Sequence, residues 1–367
     1  MKVLCVAGSE RKPFIKRLIL LSALLTLSAV NINAHIDAAT QNSAATTITG
    51  PYNSGNLSVF MIHGKDQIQG QTYLTLQEAL DQKKVVVHET GNVNNLSIDN
   101  LCGSVVFIQG GDIVKGGRQD RTMQQDMLLQ PNQKNVALPA FCVEHGRWSG
   151  RGSESDKNFE SANYALAGKQ IKLAAKQANN QSDVWAAVSN AQSKLGRVLA
   201  KPVEATASPT SYELTLENKD VKQATTKIVQ DLQKIGESDK DVVGYAFAIN
   251  GKINSADVYA SHDLFRKLWP KMLNASAVEA VTEGTNGGAV FNAGTGGKSV
   301  NRSSERVATA SDVRKCLDEA EQAPKKKESE VSTQHSDVYS KEDGKNVVFY
   351  TLDKDRSVEV HKNYMNK

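Results

Sequence analysis

The sequence predicts an α+β fold, and three observations carry the prediction. The first half holds runs of strand composition, such as "KKVVVHE" and "GSVVFIQGG". The middle holds apolar stripes at helical spacing. Strand blocks and helix blocks follow one another without regular alternation, which disfavours a doubly wound parallel sheet. The expected layout is a β-rich N-terminal half, a helical middle and a C-terminal part of β-hairpin and helix.

Element by element, "NLSVFMIHG" reads as the first strand. Thr75 and Glu78 in "TLQEAL" form a capping box, each side chain satisfying a free amide of the first turn, so a short helix starts there. "KKVVVHE" and "GSVVFIQGG" follow as buried strands, and "TMQQDMLL" and "NVALPAFCVE" as two more. A helix is expected over 163–178. Ser182 is placed to cap another, with Val184, Val188, Ala191 and Leu195 as its apolar stripe. Val221, Ile228, Leu232 and Ile235 make a further stripe that Gly236 can stop. In "DVVGYAFAINGKINSADVYAS", Val243, Tyr245, Phe247 and Ile249 alternate with small residues, and Asn250-Gly251 supplies a type I′ turn. "HDLFRKLWPKMLNASAVEAV" reads as a helix kinked or restarted at Pro270. A helix at 312–322, the charge run "PKKKESE" and a final hairpin in "NVVFYTLDKDRSVEVHK" complete the chain.

The expected organisation is a signal peptide (1–34), a linker (35–54), a core domain (55–282), a Gly/Asn/Ser-rich loop (283–310), and a C-terminal helix and hairpin packed on the core (311–367). Arg11, Lys12, Lys16 and Arg17 precede the apolar run 18–30, which is short for a membrane span and suits a signal-peptide core. With a cleavage site ending at Ala34, the mature chain would start at His35 and be exported, periplasmic or secreted, with no membrane span left; an uncleaved anchor is the alternative. Export leaves Cys102, Cys142 and Cys316. One disulfide, best between Cys102 and Cys142, and three free thiols both stand open.

Composition narrows the function classes. Lys plus Arg total 44 against 40 Asp plus Glu, a net charge of +4 with no basic stripe, so nucleic acid is not expected as a partner. His35, His63, His88, His145, His262, His335 and His361 are scattered without metal-site spacing, and no G-x-S-x-G elbow occurs. "GTGGKS" lacks the phosphate-loop glycine, because Asn292 stands five positions before Gly297. No metal or cofactor is expected.

Two motifs remain, "GGDIVKGGRQDRTMQQD" (110–126) and "CVEHGRW" (142–148). Gly116 and Gly117 allow a tight turn whose amides can converge on an anion. Arg118 and Arg121 offer planar forks for carboxylate or phosphate. Gln119 and Asp120 can orient those forks. Glu144 and Arg147 can pair with each other or with the first motif, and Trp148 offers a flat apolar face. Two readings stand on these residues: an internal ion-pair cluster, or a ligand site built from Gly116, Gly117, Gln119, Asp120, Arg121, Glu144, Arg147 and Trp148. If a reaction occurs there, as in a hydrolase or lyase, Glu144 or Asp120 would be its general base. A purely structural or interaction protein of the cell envelope is a further alternative.

"VVVHETGNVNNLSIDN", "VVFIQGGDIVKGGRQDR", "ALPAFCVEHGRW" and "QSDVW", with the later segment 242–273, resemble the ADP-ribosylglycohydrolase- and rhodanese/phosphatase-superfamily-associated protein family, whose activity is not established. The family pattern falls on Gly117, Gln119, Arg121, Cys142, Glu144, Arg147 and Trp148. Asp112 stands where the family implies glutamate, and Asp120 where asparagine is common. The resemblance implies an anionic ligand, nucleotide-like or ADP-ribose-like, by association with enzymes of that metabolism.

Overall fold

The computed structural model describes residues 46–68, 70–284 and 307–367. The signal-like run, "GTGGKS" and most of the Gly/Asn/Ser-rich loop lie outside the described residues. The α+β layout is as the sequence predicts, and it is built from a large sheet, a small closed barrel, a three-stranded sheet and seven α-helices among the described residues.

Six strands close the barrel: β4 (Val85–Asn92), β5 (Asn95–Asn100), β7 (Asp112–Gly116), β8 (Arg121–Met123), β10 (Val136–Cys142) and β11 (Asn158–Leu166). Their order is β10-β5-β4-β11-β7-β8. Every second residue points inward, and Val85, Val87, Leu96, Ile98, Val114, Met123, Leu138 and Ala140 fill the lumen. β3 (Leu74–Thr75), β6 (Val106–Ile108) and β9 (Met127–Leu129) form the small sheet, beside helix α1 (Leu76–Asp81) with its capping box.

The large antiparallel sheet runs in the order β1-β2-β12-β13-β17-β16-β15-β14, comprising β1 (Thr47–Ser54), β2 (Leu57–His63), β12 (Val242–Ile249), β13 (Lys252–Tyr259), β14 (Lys325–Ser332), β15 (Ser336–Glu342), β16 (Asn346–Asp353) and β17 (Val358–Asn366). Alternation again assigns the faces. Val59, Met61, Tyr245 and Phe247 pack against helices α5 (Lys219–Leu232) and α6 (His262–Thr282). Phe60, Ile62, Ala246 and Ala248 face α7 (Ala310–Glu321) on the other side. The final hairpin is therefore part of the main sheet, since β17 pairs with β13. The remaining helices are α2 (Lys169–Leu173), continued by a π-turn through Ala178, α3 (Gln181–Leu199) and α4 (Tyr212–Glu217), and α2 and α3 pack on the outside of the barrel.

Several local expectations are corrected. Residues 47–54, read as linker, are edge strand β1 paired with β2. "TMQQDMLL" splits into β8 and β9, which belong to different sheets. The helix expected over 163–178 starts only at Lys169, because the chain first completes barrel strand β11. Asn180, not Ser182, caps α3, accepting from the amides of Ser182 and Asp183. Helix α6 runs unbroken through Pro270. Cys102, Cys142 and Cys316 are free thiols.

A buried polar seam joins barrel and sheet. His361 on β17 lies between Asp126 (Nδ1 to Oδ2, 2.6 Å) and Asp257 (Nε2 to Oδ1, 3.0 Å). Asp126 also accepts from the Gly110 amide at 2.7 Å and faces the Lys176 ammonium at 3.6 Å. The glycine pair 110–111 leaves room for two lysine side chains to pack here. A Cβ on Gly110 would meet Lys176 Cε at 2.5 Å, and one on Gly111, whose φ is +98°, would meet Lys172 Cε at 2.7 Å.

Candidate functional site

The two motif loops converge at one end of the barrel. The first is the β7–β8 turn. There Gly116 (φ +111°) and Gly117 (φ +53°) reverse the chain, and a Cβ on Gly117 would sit 2.2 Å from the Phe159 ring. The second is the segment leaving β10. It carries Glu144, Arg147 and Trp148, and then Arg151.

The anions that these amides and forks bind are the protein's own carboxylates. The Gly116 amide donates to Asp120 Oδ1 at 3.0 Å, Arg118 N–H to Glu89 at 3.1 Å, and Asp120 N–H to Glu144 Oε2 at 2.9 Å. Arg147 straddles Glu144 with Nε to Oε1 at 2.6 Å and Nη2 to Oε2 at 2.7 Å. Its Nη1 donates to the Gly117 and Ser149 carbonyls at 2.9 and 2.5 Å. Arg151 grips Asp120 with both Nη atoms, at 2.9 and 3.1 Å. Ser208 donates to Glu144, and Ser211 to Asp120 at 2.7 Å.

Arg121 is placed differently. It shares the inward face of its strand with Met123, as Glu89 does with Val85 and Val87. Its guanidinium meets Glu89 at 3.3 Å and the Gln119 carbonyl at 2.9 Å, fully shielded from solvent.

All eight candidate residues are thus brought to this end of the barrel. Gly116, Gly117, Gln119, Asp120, Arg121 and Glu144 are buried, Arg147 is nearly so, and Trp148 is 47% exposed with the Arg118 guanidinium 5.7 Å from its ring centre. The guanidinium groups of Arg121, Arg147 and Arg151 are met there by carboxylates of the chain itself. Burial pushes the Glu144 carboxyl up, but hydrogen bonds from Arg147, Ser208 and the Asp120 amide outweigh it and hold the group below its ordinary range. A general base needs a free oxygen facing the substrate. The oxygens of both Glu144 and Asp120 are occupied within the fold.

Arg151, Glu89, Ser208 and Ser211 join the cluster from outside the two motifs. Arg151 had a signal, standing four residues after Arg147; the two serines lie in a loop without periodicity. Ser208 and Ser211, bonded to Glu144 and Asp120, latch the helical segment to the barrel. Trp185 Nε1 on α3 donates to the Glu144 carbonyl at 2.9 Å, and the Tyr212 amide to the Val143 carbonyl at 3.0 Å.

An open cleft of about 560 Å³ lies elsewhere, where the start of α2, one face of α3, the β12–β13 turn and the end of α6 meet. Ile171, Ala187, Ala191 and Val278 supply apolar wall, and Lys169, Lys194, Lys252, Lys367, Asn254 and Glu279 the polar groups. Glu279 accepts from the Lys169 amide at 3.1 Å and from Asn254 Nδ2 at 3.2 Å. Burial holds its carboxyl above the usual range against those interactions, and burial lowers the Lys169 amine although Glu279 and Glu283 oppose this. Lys194 is paired with Glu283 at 2.6 Å and Lys367 with Glu342 at 2.7 Å. The ammonium groups of Lys169 and Lys252 have no hydrogen bond or ion pair among the described residues. No group of three or more metal-ligating side chains occurs there either, and no described helix is long and apolar enough to cross a membrane.

Fold and clusters together define an α+β protein whose densest polar motif is an internal latch and whose open cleft is lysine-rich. Residues 45–364 match the ARG and Rhodanese-Phosphatase-superfamily-associated Protein domain, ARPP-1, and the chain belongs to that family. No curated protein and no solved structure matches it.

Proposed function

We propose that this protein is exported and binds an anionic, nucleotide-like small molecule in the lysine-rich cleft. Export rests on the basic residues and apolar run at the N-terminus. The binding reading rests on one observation: in a hollow of about 560 Å³, the ammonium groups of Lys169 and Lys252 stand beside an apolar wall with no hydrogen bond or ion pair among the described residues. That volume falls within the range of small-molecule sites, and the mixture of apolar surface with a few polar groups is typical of them. At the barrel end, by contrast, the forks of Arg121, Arg147 and Arg151 are already engaged, and Arg118 alone is exposed, beside Trp148.

Calorimetric titration with ADP tests the reading, comparing wild type with Lys169→Met and Trp148→Ala. Binding weakened by Lys169→Met and untouched by Trp148→Ala is expected. A Lys169→Met variant that binds as tightly as wild type sinks the cleft assignment. If Trp148→Ala alone loses binding, the exposed Trp148–Arg118 face is the site instead.

A further inference from the structure

We infer that the cleft is selective for phosphorylated polyhydroxyl compounds, with Lys169 and Lys252 holding the phosphate and Asn254 with Glu279 reading sugar hydroxyls. The inference rests on the binding reading above and specifies its ligand class.

The cleft's hydrogen-bonding capacity is of two kinds. Lys169 and Lys252 are donors, and a phosphate alone can satisfy both. Asn254 and Glu279 present acceptors, and a phosphate dianion offers these nothing. Asn254 is nine-tenths buried, and its Oδ1 has no donor among the described residues, while its Nδ2 is committed to Glu279. A buried acceptor left unmet is costly, and a ligand O–H that reaches it recovers that cost.

Position supports a single two-ended ligand. Lys252 and Asn254 are two residues apart on β13, so they share a face of the strand. Glu279 hydrogen-bonds both Asn254 and the backbone of Lys169, which ties the acceptor end to the second lysine. A cationic ligand is disfavoured. The Glu279 carboxylate is offset by Lys169 and Lys172, which both act on it, and Lys252 adds a further positive charge at the cleft wall.

The test is calorimetry on the full chain with inorganic phosphate, ribose and ribose 5-phosphate, for wild type, Asn254→Ala and Glu279→Gln. Wild type is expected to bind ribose 5-phosphate about ten-fold or more tighter than phosphate, as two recovered hydrogen bonds allow, and to bind ribose least. Both variants should bring that ratio close to one while phosphate binding persists. Should Glu279→Gln not fold, Asn254→Ala carries the test alone. Equal affinity of wild type for phosphate and ribose 5-phosphate overturns the selectivity and leaves the anion site standing. So does a ratio that Asn254→Ala leaves intact. Failure of all three probes to bind overturns the anion site and the selectivity together.

Discussion

Glu144→Ala isolates the latch. Glu144 is fully buried and accepts from the Asp120 amide, Arg147 and Ser208. Truncation leaves the Arg147 guanidinium buried with its main counter-charge removed and orphans an amide and a hydroxyl. Removing one partner of a buried ion pair costs about 3–5 kcal/mol. Unfolding entropy near 2.1 cal/mol/K per residue gives about 0.7 kcal/mol/K for a folded unit of roughly 320 residues, so the melting temperature should fall by about 4–7 °C. Differential scanning calorimetry measures this directly. Arg147→Ala should cost a similar amount, and the double variant much less than the sum, because both members of the pair are then gone. The sign of the pH dependence is fixed too. Because the folded Glu144 pKa is depressed, its contribution is present above the ordinary glutamate value and is lost as pH falls through the folded one. Glu144→Ala should therefore narrow the gap to wild type in acid. A loss below 1 °C at neutral pH, or additive single variants, would refute the latch.

Three further outcomes follow from the geometry. Gly117→Ala should destabilise by about 1–3 kcal/mol in chemical denaturation, because the added Cβ meets the Phe159 ring and the backbone is left-handed there. Glu213 is buried with its carboxyl pushed up to about 8, from an ordinary 4.5, by burial and by Glu217 against Lys115. The folded state therefore holds the extra proton between those values, stability falls as pH rises through that window, and Glu213→Gln should flatten the slope of melting temperature against pH. Burial lowers the His361 pKa, but Asp126 and Asp257 more than reverse this, so its stabilisation is complete below the ordinary value of 6.5 and is lost as pH rises through the folded one. His361→Ala should cost about 3–5 kcal/mol at pH 6 by leaving two buried carboxylates face to face.

What was legible in the sequence follows from what creates a signal. The β12–β13 hairpin could be read because one face of each strand is apolar and Asn250 and Gly251 both adopt positive φ. β1 and β14 could not, and they are the two edges of the large sheet. An edge strand buries little, so "TITGPYNS" and "KKKESEVS" show no apolar alternation, and the lysines that made 325–327 look like a solvated charge run are a common way to protect an edge. At the barrel end, residue types announced carboxylate-to-guanidinium chemistry correctly. The partners were not legible, because Glu89, Ser208 and Ser211 come from distant segments. The cleft left no motif at all: Lys169, Asn254 and Glu279 are brought together only by the packing of α6 and β13 against α2.

Latch and cleft contain the same kinds of side chain, so chemistry by type cannot separate a structural cluster from a binding site. What separates them is how the cations are met. In the latch, Arg147 and Arg151 are cross-bonded to Asp120, Glu144 and the backbone, although Gln119 Oε1 and Arg121 Nε are buried there without a hydrogen bond, whereas in the cleft the ammonium groups of Lys169 and Lys252 have no hydrogen bond or ion pair among the described residues. The two are nevertheless coupled through α3. Trp185 of that helix is bonded to the Glu144 carbonyl, and Ala187, Asn190 and Lys194, further along it, line the cleft. Loosening the latch should therefore shift one wall of the cleft, and weaker ligand binding by Glu144→Ala or Arg147→Ala would not show that those residues touch ligand. Lys169→Met separates the cases. Its ammonium makes no hydrogen bond or ion pair among the described residues, only a longer-range attraction to Glu279 and Glu283, so a loss of affinity at unchanged melting temperature points to the ligand's side of the contact.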